Sequence, residues 1–259
     1  MRQEWLDSIA TLSCVLDLKR CPVGIRVIKT EEECSSFEGL ALKAPINYCQ
    51  MIVAASRGHV IKACSESFKC RSGARALGID KSDPKNAHGE NWDRLGLYKG
   101  ADLCREIRES LCYSQENAYG LLIGALHLMP VESDVVMIAA NPFNVMRIVQ
   151  GYAYHYGMLK NVNMIGNQAI CLECTARPYV LKDMNVSVLC IGTRHRAGWQ
   201  DDEMAVGIPQ AQFIDVVDGI LSTLNQMESD RNKQIIQAKF EKAGIPYPIR
   251  FHYNYYMEC

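Results

Sequence analysis

The chain has 259 residues, is 48% hydrophobic and 22% charged, and carries a formal net charge of −1. That composition suits a globular protein with a sizeable core, and the near-neutral balance excludes the basic footprint of a nucleic-acid binder. No apolar run reaches the roughly 18 residues of a membrane span. Charges in the first 21 residues stand where a signal peptide needs an apolar centre, so the twelve cysteines imply a reducing, cytoplasmic setting.

Residues 1–21 read as an amphipathic helix with Trp5, Ile9, Leu12 and Leu16 on one face. Residues 21–28, CPVGIRVI, are β-branched and alternating, and predict a strand opened by proline. Residues 29–44 are a polar, irregular connection. Residues 46–58 predict a helix closed by Gly58, residues 60–64 a short strand, and residues 70–78 a turn followed by a short helix. The composition of residues 80–92 is that of a loop. Residues 101–112 have Leu103, Ile107 and Leu111 at helical spacing. The apolar run 121–128 suits a helix or a strand equally.

Residues 134–140, DVVMIAA, predict a buried strand. Asn141-Pro142 then caps a helix that stops at Gly157. Cys171 and Cys174 form a C-x-x-C turn. The apolar run 186–191 reads as a strand that includes Cys190, and Gly192-Thr193-Arg194-His195-Arg196 reads as a glycine turn with three potentially cationic groups. Residues 210–227 predict a helix that residues 228–242 extend or follow. The tail, residues 245–259, carries Ile245, Tyr247, Ile249, Phe251, Tyr253, Tyr255 and Tyr256. That apolar and aromatic surface suits its own domain or a homo-oligomer interface.

Two pairs of segments resemble each other in order: residues 52–59 with 148–155, and residues 93–100 with 202–209. A cysteine turn lies between the members of each pair, at Cys70 in one half and Cys171 in the other. The expectation is a single α/β domain over residues 1–259. It has a mixed sheet with packed helices, and two similar halves, about 20–113 and 127–225, related by an internal repeat. Such a repeat draws Cys70 and Cys171 toward each other.

The same residues resemble a family known as domain of unknown function 169, found in anaerobic bacteria and archaea. The matching pieces are Cys49 with Ala55-Ser56-Arg57-Gly58, then Cys70 with Gly73 and Ala76-Leu77-Gly78. In the second half they are Asn141-Pro142, Cys171, residues 185–190, Gly192-Thr193-Arg194, and Asp202-Glu203 with Gly207-Ile208-Pro209. The resemblance spans about residues 20–225 and implies that Cys49, Cys70, Cys171 and Cys190 are the family's thiols; Cys174 stands outside that set. It implies no activity.

Thiolates are the ligands of iron–sulfur clusters, and a C-x-x-C pair supplies two of the usual four. Cys70, Cys171, Cys174 and Cys190, with Cys49, are therefore the expected ligands of an iron–sulfur cluster of 4Fe–4S type, in a redox or metal-dependent protein of anaerobic metabolism. Packed thiols without metal are the plain alternative. A second reading is a metal-free module that holds a small anionic ligand or cofactor between the halves. Arg194, Arg196 and His195, and the helix start at Asn141, are its candidate contacts. His155 is a further candidate. No Walker loop, G-x-G-x-x-G, H-E-x-x-H or G-x-S-x-G motif occurs.

Overall fold

A computed structural model of the chain describes residues 2–81, 88–246 and 249–253. Helix α1 (Arg2–Val15) opens the fold, followed by β1 (Val23–Ile28). The connection expected to be irregular holds a short helix, α2 (Glu31–Ser36), and a two-residue strand, β2 (Leu40–Ala41). Then come α3 (Tyr48–Ala55), β3 (Val60–Cys64), α4 (Arg71–Ala76), α5 (Glu90–Arg94), α6 (Ala101–Ser110) and β4 (Gly120–Ala125). The second part contains β5 (Val135–Ala140), α7 (Pro142–Tyr156), a π-helix (Ala169–Ala176), α8 (Arg177–Leu181) and β6 (Asn185–Ser187). It continues through α9 (Ile191–Ala197), β7 (Met204–Pro209), α10 (Gln210–Met227) and α11 (Asp230–Ala243). No helix among the described residues is long and apolar enough to cross a membrane.

Among the described residues, seven strands form one mixed sheet in the order β2-β3-β4-β1-β5-β7-β6. Among these described strands β2 and β3 pair in parallel, and the other strand pairs are antiparallel. Side chains alternate across a strand, and β5 shows the consequence. Val135, Met137 and Ala139 enter one core with α3, α4 and the π-helix, whereas Val136, Ile138 and Ala140 enter another with α1, α7, α10 and α11. The layers are thus helices on both faces of a single sheet.

Where α7 crosses α10 the backbones touch: a Cβ on Gly219 would fall on the Gly151 backbone, and one on Gly151 would fall on Val216 O. Only glycine permits that approach. Asn141 caps α7 by accepting from Asn144 N–H at 2.9 Å, and Ser229 starts α11 by accepting from Asn232 N–H at 3.2 Å. The charged stretch after α10 is therefore a new helix.

Four sequence expectations change here. The C-x-x-C segment is not a turn but a π-helix. The run after it is a strand for only three residues, because Leu189 takes a left-handed φ of 69° and turns the chain out of the sheet. The glycine turn is helix α9. Strand β7 went unrecognised, and it spoils the second repeat pairing: residues 204–209 are extended, whereas residues 93–100 run from the end of α5 into a turn. No repeat of two similar halves is demonstrated.

The tail's described part docks on its own chain. Ile245, Ile249 and Phe251 pack on the second core, and the buried Lys233 ammonium donates to His252 O at 2.7 Å. Tyr247, Tyr255 and Tyr256 lie outside the described residues.

Candidate functional site

Four cysteines from separate stretches of chain reach one cavity of about 450 Å³. Cys49 sits in the first turn of α3, which Gln50 Oε1 starts by accepting from Asn47 N–H at 2.9 Å. Cys70 is the residue before α4, and Cys190 the residue before α9, where the left-handed Leu189 has just turned the chain. Cys171 faces the same cavity from the π-helix. A Cβ on Gly73 of α4 would make ordinary contact with Cys171 Cβ at 3.7 Å, so the two segments meet at this point.

The π-helix wall is held by a buried polar network. Glu173 accepts from Ile165 N–H at 2.8 Å and from the Ser187 hydroxyl. Asn185 Nδ2 donates to Glu173 O at 2.9 Å and to Asn163 O at 3.2 Å. Burial raises the Glu173 pKa above the ordinary carboxylate range, against the lowering effect of these donors. Thr175 donates its hydroxyl to Ile170 O, five residues back, at 2.8 Å, and its oxygen lies 3.1 Å from Tyr48 Oη. Gln168 leads in with a left-handed φ of 55°; it accepts from Tyr113 Oη at 2.5 Å and donates to Ser72 O at 3.2 Å. On its far side the wall lies against β7, where a Cβ on Gly207 would strike the Cys174 backbone.

This geometry overturns the iron–sulfur expectation. No group of three or more Cys, His, Asp or Glu side chains among the described residues is arranged to hold a metal ion. The C-x-x-C pair fails for a simple reason. A π-helix repeats at i to i+5, so residues three apart point to different sides. Cys171 lines the cavity, while Cys174 is fully buried beside Ser187 and is absent from the lining. Two of the cavity thiols, Cys49 and Cys171, have raised pKa values. Burial, then the neighbouring Cys190 and Cys70, pushes the Cys49 thiol up to about 11. Burial, then Cys70, Cys190 and Cys49, pushes Cys171 up too. None of the eleven described cysteines is in a disulfide.

The cavity has a clear polarity. Arg75, Arg94 and Arg196 line it, and among the described residues no aspartate, glutamate, lysine or histidine does. Arg94 and Arg196 are exposed, and Arg75 is half-buried. Arg94 donates to Asn91 Oδ1 at 3.1 Å, while Arg196 makes no hydrogen bond or ion pair among the described residues. Amide side chains of Asn47, Asn91, Asn167 and Gln168 add neutral donors and acceptors.

The other sequence candidates lie elsewhere. Arg194 holds α9 in place, donating to Val188 O at 2.9 Å, to Glu203 O at 3.2 Å and to Gln200 O. His195 is exposed and outside the lining. Asn141 caps α7 beside Asp202 and Glu203, in a separate small crevice. His155 lies 2.8 Å from Asp218 on the opposite face of the sheet. Sequence reasoning missed Arg75, Trp92, Arg94 and Gln168. Trp92 ends the stretch read as a loop and Arg94 lies two residues beyond it, and an aromatic between charged residues in such a stretch was the available signal.

An uncharacterized protein of Methanocaldococcus jannaschii is 26% identical to this chain over 201 residues, which is 76% of this chain and 85% of that protein. No solved structure matches the chain. The family of domain of unknown function 169, described as Uncharacterised ArCR, matches over residues 11–219, and the chain belongs to it.

Proposed function

We propose that this protein is a metal-free binding module for a small anionic molecule. The observation that carries the reading is the cavity's charge: among the described residues, three arginines and no acidic side chain line about 450 Å³. That volume lies within the roughly 300–1,000 Å³ of small-molecule sites, and guanidinium groups bind carboxylates and phosphates through paired hydrogen bonds. The neutral amides nearby would orient such a ligand without competing for its charge.

The cavity draws on residues 47–97 and 167–196, which supports a place between two halves of one domain. The strand order supports a distant duplication as well. Of β1, β3, β4 and again of β5, β6, β7, the first strand is central, the second is the outermost of the three, and the third inserts between them; β2 adds an edge strand to the first set. On that reading the first half extends to β4. A cytoplasmic setting, where thiols stay reduced, belongs to the same proposal.

The test is thermal denaturation of chelator-treated protein. It should stay folded and gain several degrees of melting temperature from millimolar inorganic phosphate or citrate. Arg196→Ala should remove most of that gain. A wild-type protein indifferent to both anions would sink the reading.

A further inference from the structure

The cavity carries more than positive charge, and its apolar part narrows the ligand class. Its inner wall is uncharged: Tyr48, Ala169, Ile170 and Thr193 are each at most 2% exposed. The Cys49 and Cys171 thiols beside them behave as small polarisable hydrophobes when protonated, and burial holds both in that form. The mouth combines the exposed Arg94 and Arg196 with three large apolar side chains left in water: Leu95 at 66%, Leu97 at 46% and Ile191 at 67% exposed. Trp92, buried to 9% exposure, stands in the wall close to Leu95 and Leu97 in sequence.

A cavity for inorganic phosphate or a short polar acid has no use for such a lining. Dehydrating the surface of a small, fully hydrated anion against leucine and thiol gains nothing, whereas an apolar body gains about 25 cal/mol for each Å² withdrawn from water. The exposed trio also lies where an apolar part leaving the inner cavity would be covered.

We infer that the ligand is an amphipathic organic anion: an aromatic or alkyl body held by the inner wall, Trp92 and the apolar mouth, and an anionic group met by Arg94 and Arg196. This rests on the anion-binding reading above and names the class of molecule for that same site. No covalent step is involved.

The experiment is calorimetric titration of the full chain with three probes: 1-naphthyl phosphate, inorganic phosphate and 1-naphthol. The expected result is that 1-naphthyl phosphate binds at least tenfold tighter than either of the others. Leu95→Ser with Leu97→Ser, both at exposed positions that folding does not depend on, should lower the ratio of naphthyl phosphate to phosphate affinity three- to tenfold. Equal affinity for naphthyl phosphate and inorganic phosphate would overturn this inference and leave the anion site standing. Equal affinity for naphthyl phosphate and naphthol would remove the anion site itself, and binding of none of the three would remove both.

Discussion

The two faces of the sheet are built differently. One carries long helices, α1, α7, α10 and α11, each of 14 residues or more. Its core cluster is mostly aliphatic and aromatic, with Arg147 and Lys233 buried beside it, and the backbones of α7 and α10 touch at their glycine crossing. The other carries α3, α4, α9 and the π-helix, none longer than eight residues. There the chain takes left-handed turns at Gln168 and Leu189, buries Glu173, and leaves a cavity open. The first face supplies stability through burial. The second spends part of it on a shape that short elements and a widened helix can make, which is where π-helices and uncommon backbone conformations tend to gather.

Substitutions on the two faces should separate these roles. Gly219→Ala places a methyl on the Gly151 backbone, and neither helix can yield alone. A loss of about 3 kcal/mol is expected in urea unfolding. A variant within 0.5 kcal/mol of wild type by that measurement would mean the crossing is looser than it looks.

Glu173→Ala on the opposite face should cost about 2 kcal/mol, because the Ser187 hydroxyl and the Ile165 N–H lose their acceptor. Anion binding should weaken with it as the Cys171 wall loosens. The carboxyl also sets a pH dependence. Its folded pKa lies above its unfolded one, so its contribution is fully present below about pH 4.3 and is lost as pH rises through the folded value. Glu173→Gln should flatten that decline in a series of melting curves above pH 4.3, and a variant curve parallel to wild type would assign the decline to another group.

Cys171→Ala should cost about 1 kcal/mol, similar to Cys14→Ala in α1 on the other face, since each removes one sulfur from a packed position. Metal analysis of the two purified variants should not differ. A Cys171→Ala protein that unfolds while Cys14→Ala does not would contradict a purely packed role.

Arg196→Ala should have the smallest effect on stability. The side chain is exposed and makes no ion pair among the described residues, so the melting temperature of ligand-free protein should stay within about a degree. Anion affinity should drop about tenfold, which titration reads directly.

The long-helix face was largely legible. Ile9 and Leu12 in α1, the Asn141-Pro142 start of α7 and the run 210–227 carry periodicity and caps that act within a few residues. β1, β3 and β5 were readable for the same reason. The cavity face was not. Cys171 and Cys174 look like a paired ligand set because C-x-x-C spacing brings two sulfurs together on a tight turn, and a π-helix separates them. Arg194 and Arg196 are two residues apart in α9, yet one is tied to backbone carbonyls while the other faces the cavity. β7 was hidden because Gly207 interrupts its apolar run, and that glycine is required by the Cys174 backbone lying against it.

The sequence by itself determined the near-neutral composition, most helices and strands, and the family, whose resemblance named Cys49, Cys70, Cys171 and Cys190 as its thiols. Those properties rest on local periodicity, capping and residue type. Tertiary structure decided the strand order, the π-helix, the protonated state of Cys49 and Cys171, and which arginines face the cavity. Each of these depends on burial and on neighbours more than 70 residues away, such as Cys171 beside Gly73 and Tyr48 beside Thr175. Desolvation and backbone-to-backbone contact are set by what packs against a residue, and no spacing along the chain encodes them.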